Sequence, residues 1–160
     1  MRTYRTRKAS GFTLVEILIV VIILGILAAI VIPQFTNAST DARKNSTTSL
    51  LQTLRSQIEL YKLQHSDTAP DITDSTNQWT KLTTQTEADG TAPEAGDTVF
   101  GPYLQAAPRN PLNGNSTCAA APAAGVGFVY NTTTGKLWAT GVTATNYFNE
   151  ATGADQATAP

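Results

Sequence analysis

Glu16 is the residue whose type and position most clearly imply chemistry. It is the one charged residue between Phe12 and Thr40, and residues 17–32 carry no polar side chain. An ionisable group inside an apolar segment is costly unless a partner neutralises it. We therefore expect Glu16 to have a functional partner, and a cationic group suits best because each charge relieves the burial cost of the other.

Residue types needed for catalysis are scarce elsewhere. Cys118 and His65 are the single cysteine and the single histidine, so an intrachain disulfide and a cysteine-based structural zinc site are excluded. Paired catalytic carboxylates, a glycine-rich phosphate loop and a nucleophile–base pair are not recognisable as motifs. The sequence therefore predicts that the protein is not an enzyme.

Charge is distributed unevenly along the 160 residues. The first eleven carry four basic residues and no acidic one, whereas the remainder has seven basic and twelve acidic residues. The remainder lacks the basic surface that nucleic-acid binding requires, so we expect no nucleic-acid partner. Only 14% of the residues are charged, which suits an extracytoplasmic surface rich in Thr, Ala, Asn and Gly.

Residues 12–32 are long enough to cross a membrane. They number 21, and a helical span needs about 20. Because the basic residues precede the span, the positive-inside preference places residues 1–11 in the cytoplasm and the C-terminal part on the other side of the membrane. A secretory signal peptide or a plain anchor would contain a similar run. However, the residues after Pro33 fit an A-x-A cleavage site poorly, and neither alternative explains Glu16.

The residues around Glu16 resemble a known processing site. The segment KASGFTLVE, from Lys8 to Glu16, is similar to the leader site of the type IV pilin-like family. That site has a short basic leader ending in glycine, then phenylalanine, then Thr-Leu-x-Glu and an unbroken apolar helix. The resemblance covers residues 1–35, including Pro33.

The resemblance implies a processing reaction and an assembly role. A prepilin peptidase would cut between Gly11 and Phe12, remove residues 1–11 and methylate the new amino group of Phe12. Glycine leaves the bond open to close approach because it has no Cβ. Glu16 would pair with the amino-terminal nitrogen of a neighbouring subunit, and Pro33 would bend or loosen the helix.

The helix is expected to change character along its length. Residues 12–35 form the transmembrane and assembly half, and residues 36–64 form an amphipathic half. In the second half, core-type residues recur at steps of three and four, which is typical of a helix with one face towards a core. They are Thr47, Leu50, Leu51, Leu54, Ile58 and Tyr61.

Residues 65–160 predict a small globular head. Residues 127–130 and 136–140 flank a polar turn and predict a β-hairpin. A short helical turn is expected at Trp79, and residues 86–98 are expected to form a polar loop. The fold class is therefore α+β: a long N-terminal helix packed on a small antiparallel sheet with long loops.

Short motifs in the head resemble the pseudopilins of type II secretion systems, the major subunit in particular. They are the segment around Tyr61, the run Gly101-Pro102-Tyr103-Leu104 and the turn after Tyr130. The resemblance implies a structural subunit that polymerises into a helical periplasmic pseudopilus driving type II protein secretion. The implied partners are further copies, the prepilin peptidase, an inner-membrane assembly platform with its ATPase, minor pseudopilins, and membrane lipid before assembly.

Two other functions stay open on the sequence. One is a type IV pilin of a surface fibre for adhesion, twitching motility or DNA uptake, although many such pilins close a loop with a disulfide that Cys118 alone cannot form. The other is a membrane-anchored extracytoplasmic binding module. A binding module of this kind would give Glu16 no role.

Calcium is the one ligand that the resemblance suggests, in a loop near the C-terminus. The oxygen-bearing residues there have no EF-hand spacing, solvated side chains are the simpler interpretation, and residues 151–160 are expected to be weakly ordered. These residues are Asn146, Asn149, Glu150 and Asp155.

Four further residues invite a structural interpretation. His65 is expected to be exposed at the helix end, where it suits the helix dipole. Cys118 is expected to be a free thiol in a loop, with an intersubunit disulfide as the alternative. Trp79 and Trp138 are expected to pack in the core rather than to stack on a sugar.

Overall fold

The structure is a computed structural model that describes residues 11–74 and 78–160. The basic residues of the expected leader lie outside the described residues, so the leader is described only at Gly11. The chain divides into two compact units, Met1–Thr40 and Asp41–Pro160. The second unit contains the expected head together with the amphipathic part of the long helix.

Helix α1 covers Leu14–Gln64, as the hydrophobic pattern predicted. It remains helical through Pro33, whose ring nitrogen has no hydrogen to donate to the carbonyl one turn earlier. The bend or loosening expected at this residue stays a prediction. Beyond it, the hydroxyl of Thr36 donates to the carbonyl of Ile32 at 3.2 Å. Such a back-bond satisfies a hydroxyl that lies on an apolar helix.

The amphipathic part of α1 forms one wall of the core of the second unit. Its buried residues are Thr47, Leu51, Leu54, Ile58 and Tyr61, and Leu50 is partly buried. Helix α2 (Thr80–Thr83) is the short turn predicted at Trp79, and it adds a leucine to this core. The side chains that join α1 in the core include Ile72, Leu82, Phe128, Tyr130, Leu137 and Phe148. Burial of each large apolar side chain contributes about 1.5–3 kcal/mol, so this face fixes the helix in the head.

Three strands form the larger sheet, in the order β1 (Thr117–Ala119), β2 (Val126–Asn131) and β3 (Lys136–Ala139). Strands β2 and β3 pair antiparallel, with Val129 opposite Trp138, which confirms the predicted hairpin. The long helix and the separate strands confirm the α+β class. Strand β1, however, runs parallel to β2, which corrects the expectation that all strands pair antiparallel. The three residues of β1 are too few to show the alternation that identifies a strand in a sequence. Whether such a strand pairs parallel or antiparallel depends on the strand beside it.

Strands β4 (Tyr147–Asn149) and β5 (Ala154–Gln156) form a second, antiparallel sheet. We call residues 147–156 the C-terminal hairpin. Asp155 pairs with Phe148, so the expectation of a weakly ordered tail after residue 150 is wrong for this segment. The Oδ1 atom of Asn149 accepts hydrogen bonds from the backbone nitrogens of Ala151 and Thr152 at 2.9 and 3.2 Å, which holds the turn in place.

Candidate functional site

The peptide bond between Gly11 and Phe12 lies outside the helix. Both residues precede Leu14, where α1 begins, and the side chain of Phe12 is 81% exposed. A Cβ added at Gly11 would meet no atom within 4 Å. The described residues therefore leave this bond open to a peptidase, and cleavage here stays a prediction.

Glu16 has a local partner at the start of α1. Its Oε2 atom accepts hydrogen bonds from the backbone nitrogen and the hydroxyl of Thr13, both at 2.7 Å. In return, the backbone nitrogen of Glu16 donates to the Thr13 hydroxyl at 3.2 Å. This reciprocal arrangement is a capping box, which satisfies backbone donors that a helix start leaves free. The signal Thr-x-x-Glu was present in the sequence, but the sequence reasoning assigned no role to Thr13.

The first turns of α1 expose apolar surface on every side. Each large apolar side chain from Phe12 to Ile32 is between 43% and 81% exposed. Among the described residues, one helix, α1, is long and apolar enough to cross a membrane. Because water does not solvate such a surface favourably, lipid or another apolar helix has to cover it.

A second cluster of charged groups lies in the head, at Arg55 of α1. Its guanidinium donates to both carboxylate oxygens of Glu150, from Nη2 at 2.6 Å and from Nη1 at 3.1 Å. The same guanidinium donates to the carbonyl of Leu137 in β3, from Nη2 at 2.8 Å and from Nε at 3.1 Å. Arg55 therefore joins α1, β3 and the C-terminal hairpin, and the sequence reasoning did not single it out.

The oxygen atoms expected to bind calcium do not converge. Glu150 already binds Arg55 with both oxygens, and Oδ1 of Asn149 holds the hairpin turn. Asp155 accepts from the backbone nitrogen of Val142 at 3.2 Å. Among residues 11–74 and 78–160, no group of three or more His, Cys, Asp or Glu side chains could hold a metal ion. These donors do not fit a calcium ion as they stand, and calcium at this place stays a prediction without structural support.

His65 lies in the core, which corrects the expectation of an exposed residue. It is 1% exposed, and its ring stacks on that of Tyr61 with centroids 3.7 Å apart. Nδ1 lies 2.7 Å from the Tyr61 carbonyl, so this nitrogen carries a hydrogen, and Nε2 lies 2.8 Å from the hydroxyl of Thr86. Both ring nitrogens thus have protein partners, and the residue fastens the loop at Thr86 to the end of α1.

Cys118 is a buried thiol in β1 rather than a loop residue. It is 1% exposed, and burial, with a smaller contribution from the negative charge of Asp71, raises the pKa of the thiol to about 12. A buried, protonated thiol is unreactive, so the alternative of an intersubunit disulfide does not agree with this position.

The two tryptophans occupy different positions. Trp79 is buried, as expected, and its Nε1 donates to the carbonyl of Ser116 at 2.6 Å. Its ring packs edge-on against Phe128. Trp138 is half-buried and packs edge-on against Tyr147, so the two indoles do not form one exposed platform for a sugar.

Comparison with protein families identifies the N-terminal segment. A family model described as the prokaryotic N-terminal methylation motif matches residues 6–32. The match contains Gly11, Phe12 and Glu16 and ends just before Pro33. The motif at the start of the chain is therefore that of prokaryotic prepilin-like proteins, as the sequence resemblance predicted.

Several characterised proteins are similar to part of the chain. The type II secretion system core protein G of Dickeya chrysanthemi is 42% identical over 60 residues, which are 38% of this chain and 39% of the relative. The protein of the same name from Pseudomonas aeruginosa is 41% identical over 59 residues, 37% of this chain and 42% of the relative. The similarity lies in the N-terminal region and spans less than half of either relative. No solved structure matches the chain.

Proposed function

We propose that the protein is a structural subunit of a helical periplasmic pseudopilus that drives type II protein secretion. The observation that carries this proposal is the first part of α1, where the methylation motif, residues 6–32, includes the exposed apolar surface from Phe12 to Ile32. The similarity to type II secretion core proteins supports the secretion role. The subunit acts by packing against further copies, and it has no catalytic step of its own.

Processing by a prepilin peptidase precedes assembly. The enzyme removes residues 1–11 on the cytoplasmic side, and the new amino group of Phe12 is methylated. Cleavage leaves a single span with its N-terminus in the cytoplasm and the unit Asp41–Pro160 in the periplasm. The four basic residues before the span support this orientation.

Glu16 links one subunit to the next. The capping box uses only Oε2, and no described residue donates to Oε1. The methylated ammonium group of a neighbouring Phe12 donates to this free oxygen in the filament. The hydrogen bonds from Thr13 therefore lower the free-energy cost of placing the carboxylate in lipid. During assembly, the ammonium group of the neighbouring subunit takes the place of lipid beside the carboxylate.

Assembly needs other components outside this chain. An inner-membrane platform with its ATPase adds subunits one at a time, and minor pseudopilins join the filament. The apolar surface of residues 14–32 moves from lipid to the surfaces of neighbouring helices. Because both surroundings are apolar, the transfer has no large hydrophobic penalty and packing decides its direction.

Quantitative proteomics of spent medium tests the proposal. A clean deletion strain is complemented with wild type, with Glu16→Ala, or with Glu59→Ala as the control. Glu59 is an equally charged, exposed residue of α1 that pairs with Lys62. We expect exoproteins to be lost in the deletion and Glu16→Ala strains and restored by the other two.

Other outcomes assign the protein elsewhere. An unchanged secretome with loss of surface fibres would make the protein a type IV pilin. Normal secretion and normal fibres in the Glu16→Ala strain would remove the assembly role of Glu16 and favour a membrane-anchored binding module.

A further inference from the structure

Arg55 holds together three parts of the head that are far apart in sequence. Glu150 lies 95 residues after it and Leu137 lies 82 residues after it. The guanidinium makes two hydrogen bonds to each, and the Arg55 and Glu150 side chains are 37% and 24% exposed. A planar group with a fork of donors suits this double, bidentate contact, which a lysine could not reproduce.

The C-terminal hairpin cannot gather its own oxygens around a metal ion in this arrangement. Asn149 pairs with Ala154, and the next pair is Phe148 with Asp155. Successive residues of a strand point to opposite faces, so the side chains of Asn149 and Asp155 lie on opposite faces of the hairpin. The remaining carboxylate, Glu150, faces a guanidinium that would repel a cation.

We propose that the guanidinium of Arg55 does in this head what a bound calcium ion would otherwise do. It is the internal cation that neutralises Glu150 and fastens the C-terminal hairpin to α1 and β3. The head therefore keeps this hairpin in place without calcium. The disagreement with the calcium site expected from the resemblance thus has a chemical reason in the residues present.

Thermal unfolding of the full chain in detergent micelles tests this proposal. Trp138, half-buried in β3, reports unfolding by fluorescence. The wild type is compared in a chelator and in calcium at about ten times the ~10⁻³ M dissociation constant of weak extracellular sites. We expect the same Tm in both. Arg55→Gln and Glu150→Gln are expected to lower it by about 5 °C, as loss of a partly buried bidentate pair implies.

A matched control removes another basic side chain from the same helix. Lys62→Gln breaks the pairs with Glu59 and Asp67, whose nitrogen–oxygen distances are 3.3 and 3.7 Å, and it should leave Tm within about 2 °C of wild type. Hydrogen exchange should quicken in residues 147–156 of Arg55→Gln and stay unchanged there in Lys62→Gln. A calcium-induced rise of Tm in the wild type would overturn the proposal, as would an Arg55→Gln protein indistinguishable from the control. The readout does not depend on assembly, so failure here would leave the proposed pseudopilus role standing.

Discussion

The side-chain amide of Asn110 donates a hydrogen bond of 2.8 Å to the backbone carbonyl of Thr140, and both residues are fully buried. The same amide donates to the carbonyl of Gly127 at 2.8 Å, and its Oδ1 accepts from the backbone nitrogen of Leu112 at 2.9 Å. One side chain therefore joins the loop before β1 to β2 and to the end of β3. This link has no counterpart in any local sequence pattern.

Asn110→Ala is expected to destabilise the head strongly. The substitution leaves the carbonyls of Gly127 and Thr140 with one donor fewer and the nitrogen of Leu112 without its acceptor. Because buried polar groups without partners cost about 1–3 kcal/mol each, we expect a loss of about 3 kcal/mol in the free energy of unfolding. Urea denaturation followed by tryptophan fluorescence measures it. Asn45→Ala, at an exposed helical position, is the control and should change stability by less than about 0.5 kcal/mol.

Tyr130→Phe is expected to leave the protein as stable as wild type or more stable. The Tyr130 hydroxyl is buried and, in the described structure, has no hydrogen-bond partner. Because removing the hydroxyl also removes the cost of burying it without a partner, the free energy of unfolding should rise by between zero and about 1 kcal/mol. Tyr103→Phe is the matched comparison because its hydroxyl donates to Oε1 of Gln64 at 2.7 Å, and it should lose about 1 kcal/mol. A clear loss of stability in Tyr130→Phe would mean that the hydroxyl has a partner in solution.

Cys118 is expected to make stability fall at alkaline pH. Its folded pKa of about 12 lies above the ordinary value of 9.0, so the unfolded chain loses this proton first as pH rises. The contribution of the protonated thiol to the free energy of unfolding is fully present below about pH 9 and decreases towards pH 12. Unfolding free energies of wild type and Cys118→Ala, measured between about pH 8 and 10, should converge as pH rises. Parallel curves would contradict the prediction. Maleimide should also label the folded thiol far more slowly than the unfolded one.

Gly11→Val is expected to block removal of the leader. The added side chain crowds the bond before Phe12, which glycine leaves open. Intact mass of the wild type purified from its host should show loss of residues 1–11 and gain of one methyl group. The Gly11→Val protein should keep its full length. Gly25→Ala, a similar change in an open helical position, should be processed normally. Cleavage after Ala38 in the wild type would instead identify a secretory signal peptide.

Much of the N-terminal segment followed from the sequence. The run of apolar residues and the spacing from Thr47 to Tyr61 predicted a helix that the structure places at Leu14–Gln64. The methylation motif could be recognised because its residues are consecutive. The capping role of Thr13 could also have been inferred from the spacing Thr-x-x-Glu.

The head was predicted less completely. The β2–β3 hairpin was found because its two strands are adjacent and flank a turn. Strand β1 and the C-terminal hairpin were missed, since three-residue strands carry no readable alternation. His65 was placed on the surface because its partner Thr86 lies 21 residues away.

The sequence by itself determined the apolar segment, the long helix and the methylation motif. Each depends on hydrophobicity and side-chain types within a few residues, and helical hydrogen bonds join neighbours along the chain. Only the tertiary structure decided that Arg55 meets Glu150 and that Asn110 meets Thr140. Such contacts form when strand direction, register and loop paths are settled together. The residues in contact are tens of positions apart in the sequence, so a local sequence pattern cannot predict that they meet.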